Sequence, residues 1–117
     1  MKSAGQIALI RFPNVDLAEG KLRPTLLLCR ASRRYDDWLA CMTSSRLRQA
    51  EPDIDEILSP ADIDFAQSGL KAPSVIRLTR LAVVKGDLLV GKLGEIAPER
   101  IARLRARLAA WLREDHF

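Results

Sequence analysis

One run near the end of the chain has the pattern of an amphipathic helix. It begins at Pro98 and contains no further proline or glycine, and proline suits the first helical turn. Apolar residues recur there at helical spacing and form a single stripe. They are Ile101, Leu104, Leu108, Trp111 and Leu112. An apolar stripe has to pack on something, so the preceding residues must supply a surface for it.

Short β-rich segments precede this helix. They are Gln6 to Arg11, Thr25 to Arg30, Trp38 to Thr43, Ile54 to Leu58, Ser74 to Leu78 and Leu81 to Val84. Short strands followed by one helix predict a mostly β fold, a small antiparallel barrel or sandwich with the helix packed on it. The length of 117 residues fits a single domain, 1–117. A content of 48% hydrophobic and 29% charged residues is typical of a globular protein.

Several features bear on where the protein works. No apolar run approaches the roughly 20 residues of a membrane helix. The first residues lack a signal-peptide core, because Arg11 and Pro13 interrupt the apolar run. Cys29 and Cys41 show no disulfide framework or metal-ligand spacing, which favours reduced packing residues in a cytosolic protein.

The charge is unevenly distributed. The formal net charge is +4, which suits an anionic partner but is also common among soluble proteins. All six acids of the segment 51–64 occur without a base. Their spacing does not fit a calcium loop, so a solvated surface is the simpler interpretation. The five arginines of the final helix can bind nucleic acid, although such residues more often keep an outer helix face soluble.

The segment EGKLRPTLLLC, from Glu19 to Cys29, places charge directly before a buried strand. Pro24 disfavours a helical conformation at Arg23, and the apolar run that follows provides a rigid support. A guanidinium offers five donors in a planar fork and suits phosphate oxygens. For any single arginine, however, an ordinary surface position is the more common case.

A second polar segment, Thr43-Ser44-Ser45, ends the third predicted strand. These hydroxyls either contact a phosphate or stabilise a turn. Arg46 and Arg48 follow, as part of a basic surface or of a solvated loop. The single histidine, His116, lies one residue from the end. The chain shows no Ser-His-Asp set, no phosphate-binding glycine loop and no zinc pattern.

Taken together, several segments resemble the MazF/PemK family of toxins from type II toxin–antitoxin systems. The resemblance covers nearly the whole chain, and its strength lies in the order and spacing of the segments. They are GQIALIRFPNVD, GKLRPTLLL, CMTSS, SGLKAPSVIRLTRL and GKLGEIAPERIARLRARLAAWL. The resemblance implies an SH3-like β-barrel with a terminal helix, and a homodimer.

The same resemblance implies a function. It predicts a cytoplasmic endoribonuclease that cuts single-stranded RNA without a metal or other cofactor. The ribose 2′-hydroxyl would attack the adjacent phosphate and leave a cyclic phosphate and a 5′-hydroxyl. A cognate, MazE-like antitoxin would cover the RNA groove with a disordered tail.

Site residues follow from the matching motifs. The family's catalytic arginine and threonine match Arg23 and Thr43. Arg23 would stabilise charge on the phosphorane oxygens, a contribution of about 2.7–4 kcal/mol for one such donor, and Thr43 would donate to the same phosphate or position it. The residues expected to hold RNA are Lys21, Ser44, Arg46 and Arg11.

The sequence also departs from the family pattern. Some relatives carry an Arg-Thr-x-Asp motif where this chain has Ala82-Val83-Val84-Lys85. The loop before Arg23 lacks the histidine of some members and has only Asp16 and Glu19 as acids. The general base is therefore unassigned. Two alternatives stay open: a non-catalytic barrel that binds RNA or an antitoxin-like partner, and a nucleic-acid adaptor that uses the final helix.

Overall fold

The described part of the chain contains six strands and two α-helices. A computed structural model describes residues 2–11 and 21–114. The predicted turn FPNVD, the acids Asp16 and Glu19, and His116 lie outside the described residues. The strands are β1 (Gln6–Arg11), β2 (Leu22–Arg30), β3 (Asp37–Ser44), β4 (Glu56–Leu58), β5 (Ser74–Lys85) and β6 (Gly91–Glu95). The helices are α1 (Phe65–Ser68) and α2 (Pro98–Arg113).

The strands form one antiparallel sheet in the order β4-β5-β3-β2-β1-β6. Its register shifts between Leu27 and Cys29 of β2, and again opposite Cys41 and Met42 of β3. Such irregularities bend and twist a strand. The sheet accordingly curls into a half-barrel, which confirms the predicted mostly β fold with a C-terminal helix.

Each face of the sheet buries an apolar cluster. The larger cluster includes Leu26, Leu28 and Ile76, and it packs against Leu104 and Leu108 of α2. The smaller cluster lies on the other face. It contains Ile10, Leu27, Trp38, Ala40 and Val84. Because both faces of the sheet make apolar contacts, β2 is hydrophobic at consecutive positions and not only at every second one.

The helix α2 follows its predicted stripe with one exception. Leu104 and Leu108 are buried, whereas the side chain of Leu112 is largely exposed. The buried position that the stripe did not include is Arg100. In residues 2–11 and 21–114, no helix has both the length and the apolar character that crossing a membrane would require.

Three regions differ from the sequence-based expectations. The predicted strand Ile54 to Leu58 is shorter, since β4 covers only Glu56–Leu58 and Ile54 lies in the turn before it. The predicted strands Ser74 to Leu78 and Leu81 to Val84 are one continuous strand, β5, because the chain passes through the irregularity opposite β3 without leaving the sheet. Strand β6 was not predicted, because its glycines weaken the β signal. Gly94 has a packing reason, since a Cβ there would overlap the backbone of Gln67 and Ser68.

Candidate active site

Arg23 lies at the second position of β2, where the chain enters the sheet. It is half-buried and pairs with Ile10 of β1. The backbone hydrogen-bond ladder between β2 and β3 ends two residues after Arg23, at the pair Thr25 and Met42. Pro24 has no N–H to continue a ladder. The strand entry therefore needs another contact to stay attached to β3.

Thr43 supplies that contact. Its side chain is buried in β3, and its Oγ1 donates a 2.8 Å hydrogen bond to the carbonyl oxygen of Pro24. The carbonyl can only accept, so the hydroxyl proton is used in this bond. The bond ties the end of β3 to the residue next to Arg23. In this arrangement Thr43 positions the strand that carries Arg23, and its proton is not available to a phosphate.

The next residue, Ser44, organises the turn that follows β3. Its hydroxyl donates to Oε1 of Gln49 at 3.0 Å and accepts from the backbone N–H of Arg46 at 3.1 Å. Arg46 itself is exposed. Continuing the β2–β3 register past Thr25 and Met42 places Ser44 level with Arg23.

The remaining predicted RNA contacts lie at the same end of the sheet. Lys21 is exposed and directly precedes β2, and Arg11 is exposed at the end of β1, opposite Leu22. Because β1, β2 and β3 are antiparallel neighbours, the end of β1, the entry of β2 and the end of β3 meet. The structure thus brings all six predicted site residues to one edge. They are Arg11, Lys21, Arg23, Thr43, Ser44 and Arg46.

The segment Ala82-Val83-Val84-Lys85, which replaces the family's Arg-Thr-x-Asp motif, does not lie at this edge of the sheet. Lys85 pairs with Asp37, at the opposite end of β3 from Thr43. Six residues of extended strand separate those ends, about 20 Å. Arg80 is exposed in the part of β5 that has no partner in β3. Lys85 therefore does not provide the missing charge at the strand edge.

Sequence reasoning missed another arginine, Arg77, which pairs with Met42 two positions from Ser44. Its Nη1 donates to Oε1 of Gln49 at 3.4 Å. Its Nε lies 3.9 Å from Oδ2 of Asp55. The only sequence signal for its role was the presence of an arginine in the middle of the predicted strand Ser74 to Leu78.

The acidic segment is only in part the solvated surface that its composition suggested, since Glu51 and Asp53 are exposed but three of its six carboxylates are largely buried. The Asp55 carboxylate is fully buried. The Asp64 side chain is 2% exposed and forms a two-bond pair with Arg100, at 2.8 and 2.9 Å. Glu56 accepts from Arg100, Arg103 and Arg107. Three of the five arginines of α2, Arg100, Arg103 and Arg107, therefore bind the acidic segment of their own chain.

These pairs change the titration of the carboxylates. The Arg100 guanidinium lowers the pKa of Asp64 below its ordinary value, and this effect outweighs the opposing effect of burial. For Glu56, burial raises the pKa, but hydrogen bonds from Arg103 and Arg100 together lower it further. Both acids are therefore held ionised by the arginines of α2.

Known proteins share the family and the fold of this chain. The family model described as PemK-like, MazF-like toxin of type II toxin–antitoxin system matches residues 3–112. No curated protein sequence gives a significant match. A mycobacterial endoribonuclease solved in complex with its cognate antitoxin is 17% identical, with a TM-score of 0.67, and the match covers 96% of this chain and 95% of that one.

A second solved structure is equally similar. The Mycobacterium tuberculosis toxin MazF-mt6 is 18% identical, with a TM-score of 0.67, and the match covers 94% of this chain and 98% of that one. At such identities the structures establish the shared fold, while the family match establishes membership. The chain belongs to the PemK-like, MazF-like toxin family of type II toxin–antitoxin systems, whose toxins are endoribonucleases.

Proposed function

We propose that this toxin cuts single-stranded RNA without a metal ion or other cofactor, at the strand edge that carries Arg23. The 2′-hydroxyl loses its proton as its oxygen attacks the neighbouring phosphorus. The bond from phosphorus to the 5′-oxygen breaks, and that oxygen takes up a proton and leaves as a hydroxyl, so no net proton is consumed. The products are a 2′,3′-cyclic phosphate and a 5′-hydroxyl end. Because the attacking group is the 2′-hydroxyl, DNA is not a substrate.

The hydrogen bond from Thr43 to Pro24 is the observation that carries this proposal. It joins β3 to β2 at 2.8 Å, one residue from Arg23. A guanidinium on a strand that is fixed in this way is preorganised, so it costs little reorganisation when charge develops on the phosphorane. Within residues 2–11 and 21–114, the Arg23 side chain has no hydrogen bond or ion pair, so its donors are available to a phosphate.

The surrounding cations would hold the flanking phosphates. Lys21, Arg11 and Arg46 are all exposed at the same edge, and exposed cations of this kind make RNA binding dependent on salt. The Ser44 hydroxyl proton is used in its bond to Gln49, so Ser44 holds the turn beside Arg23 and does not donate to a phosphate. Thr43 serves as a positioning residue in this scheme.

The proposal extends to partners and location. The structural neighbour that was solved with a cognate antitoxin supports an antitoxin partner for this chain as well. We propose a cytoplasmic homodimer whose basic edges are covered by the acidic, disordered tail of a MazE-like antitoxin. A small open reading frame with such a tail beside the gene would agree with this arrangement.

The deciding experiment is RNA cleavage in excess EDTA. Purified wild-type protein and the Arg23→Ala variant are incubated with mixed-sequence single-stranded RNA, and the product ends are identified. We expect cyclic-phosphate ends from the wild type and a loss of about a hundredfold or more in Arg23→Ala. Arg105→Ala, which removes an exposed arginine of α2, is the matched control and should cut at the wild-type rate.

Two results would overturn the proposal. One is a wild-type protein that cuts no RNA of varied sequence, and the other is an Arg23→Ala variant that cuts equally well. In the first case a non-catalytic barrel that binds RNA or an antitoxin-like partner becomes the better description. Cleavage that stops in EDTA and returns with added metal would contradict the metal-free mechanism alone.

A further inference from the structure

We propose that Gln49 reads a base next to the cleaved phosphate, and that Arg77 fixes its amide so that it offers only hydrogen-bond donors. The inference rests on the proposed function, since it concerns the RNA bound at the Arg23 edge. It predicts a preference at one position for guanine or uracil over adenine. The residues that carry it are Ser44, Gln49, Asp55 and Arg77.

The orientation of the Gln49 amide follows from its two contacts. Its Oε1 lies 3.0 Å from the Ser44 hydroxyl and 3.4 Å from Nη1 of Arg77. An arginine has five donors and no acceptor. If the amide were flipped, its NH₂ group would face the Arg77 donor without an acceptor between them. The oxygen must therefore face Arg77, and the NH₂ group must face away.

Arg77 is itself fixed by a buried carboxylate. Its side chain is only 13% exposed, and its Nε lies 3.9 Å from Oδ2 of Asp55, whose side chain is 0% exposed. Asp55 is held in turn by the backbone N–H of Glu51 at 2.8 Å and by the backbone N–H of Thr79 at 3.1 Å. A rigid support of this kind keeps a recognition group in place before the ligand arrives.

The Arg77 guanidinium is also incompletely satisfied. Its Nε is the only buried side-chain nitrogen or oxygen without a hydrogen bond among the residues that the structure describes. A cationic group with an unused buried donor is costly. Its contacts to Gln49 and Asp55 are the partners that it has, so the guanidinium ties the Gln49 oxygen to the buried carboxylate.

Gln49 lies where a base would reach it. It ends the short turn 47–49, which follows β3 directly, and it is half-buried. Ser44 connects it to the strand end that Thr43 ties to Pro24. The outward NH₂ group is thus beside the edge that carries Arg23. Single-stranded RNA exposes its base edges to such groups.

The donor-only character of this amide sets the preference. A freely turning glutamine binds adenine through both its oxygen and its NH₂ group. Here the oxygen is already occupied by Ser44 and Arg77. Guanine presents two neighbouring acceptors, N7 and O6, and uracil presents carbonyl oxygens, whereas adenine places an amino group beside N7. The fixed amide therefore fits guanine or uracil.

The test measures base preference twice, with and without cleavage. The cleavage probe is a single-stranded RNA pool with a randomised window, whose 5′-hydroxyl ends are sequenced. The binding probe is the same pool in 2′-O-methyl form, which cannot be cut, and the bound fraction is sequenced. The proteins are wild type, Gln49→Leu, Gln49→Glu, Arg77→Met and Arg48→Leu, and their melting temperatures are recorded.

The expected result is specific to one position. Wild type should favour guanine or uracil over adenine there by about fivefold or more, the size of one base-edge contact. Gln49→Leu and Arg77→Met should bring that ratio close to one. Gln49→Glu, which offers only acceptors, should move the preference toward bases with an amino group. Arg48→Leu, an exposed neighbour in the same turn, should keep the wild-type preference.

Failure of this inference is separable from failure of the proposed function. If wild type cuts RNA but Gln49→Leu keeps the same base preference, the inference is overturned and the cleavage proposal stands. If wild type cuts nothing, but the binding pool shows the preference and Gln49→Leu loses it, the cleavage proposal is overturned and this inference stands. Gln49→Leu keeps the contact between Arg77 and the buried Asp55, so this variant tests the role of Gln49 even if Arg77→Met fails to fold.

Discussion

The two arginine-rich regions of this toxin use the same side chain in opposite ways. At the helix cluster, formed by Glu56, Asp64, Arg100, Arg103 and Arg107, each guanidinium bonds a carboxylate of the acidic segment or its backbone. The pair of Arg100 and Asp64 is almost completely buried. These charges hold α2 to the segment before it.

At the strand edge that carries Arg23, three of the cations differ from those of the helix cluster. Within the described ranges, none of Lys21, Arg23 and Arg46 forms an ion pair. The contrast separates charge that stabilises the fold from charge that is available to a polyanion. Composition alone does not separate them, since both regions contribute to the same net charge of +4.

The largest expected effect comes from breaking the helix cluster at Arg100. Arg100→Met leaves the Asp64 carboxylate buried without its charge partner, so we expect a loss of about 3–5 kcal/mol in the free energy of unfolding. Urea denaturation at pH 7 measures it. Arg105→Met, an exposed arginine on the same helix, should change stability by less than about 0.5 kcal/mol. Equal losses of unfolding free energy in the two variants would show that the helix cluster does not stabilise the fold.

Acid should weaken the same cluster by a smaller amount. The pKa values of Asp64 and Glu56 are lowered in the folded protein, so the unfolded chain binds protons first as the pH falls. This contribution is complete above the ordinary carboxyl pKa values of about 4 and is lost below them as the folded-state values are approached. The free energy of unfolding, measured from pH 7 down to pH 3, should fall less steeply in Asp64→Asn. An identical pH slope in that variant would contradict the assignment.

The sequence predicted more of the strand edge than of the helix cluster. The local signals of Pro24 and the leucine run placed Arg23 at the entry of a buried strand, and the family resemblance matched both Arg23 and Thr43 to catalytic residues. The pairs with Arg100 join residues that are 36 and 44 positions apart in the chain. No local pattern encodes such a separation, so the acids appeared solvated and the arginines appeared to face water.

The details of the sheet that the sequence did not predict have the same cause. Periodicity detected β1, β2 and β3 because their apolar residues lie in uninterrupted runs. It missed β6, where Gly91 and Gly94 supply no side chain to the pattern. It also missed the orientation of Gln49, because that depends on Arg77 from another strand. Contacts between distant segments are the part that only the structure supplies.

At the strand edge, Thr43 offers a more modest test. Thr43→Val keeps the shape of the side chain but removes the hydroxyl that bonds to Pro24. We expect a loss of about 1–3 kcal/mol in stability, because the Pro24 carbonyl is left without its partner, and slower cleavage because β2 no longer holds Arg23 firmly. Thr43→Ser keeps the hydroxyl and should restore most of both. If Thr43→Val cuts RNA at the wild-type rate, Thr43 has no part in positioning Arg23.

The smallest expected effect is the most direct measure of the contrast between the two regions. Arg46→Gln and Lys21→Gln should each weaken RNA binding and reduce the slope of log affinity against log salt concentration by about 0.7, the value for one phosphate contact on a single strand. Arg103→Gln should leave that slope unchanged, because its guanidinium is already bonded to Glu56 at 2.9 and 3.0 Å. Fluorescence anisotropy with a 2′-O-methyl oligonucleotide, titrated at several salt concentrations, measures binding without cleavage. If Arg103→Gln instead lowers the slope and Arg46→Gln does not, RNA lies along α2. The final helix would then be the nucleic-acid surface, and the cations at the strand edge would need another explanation.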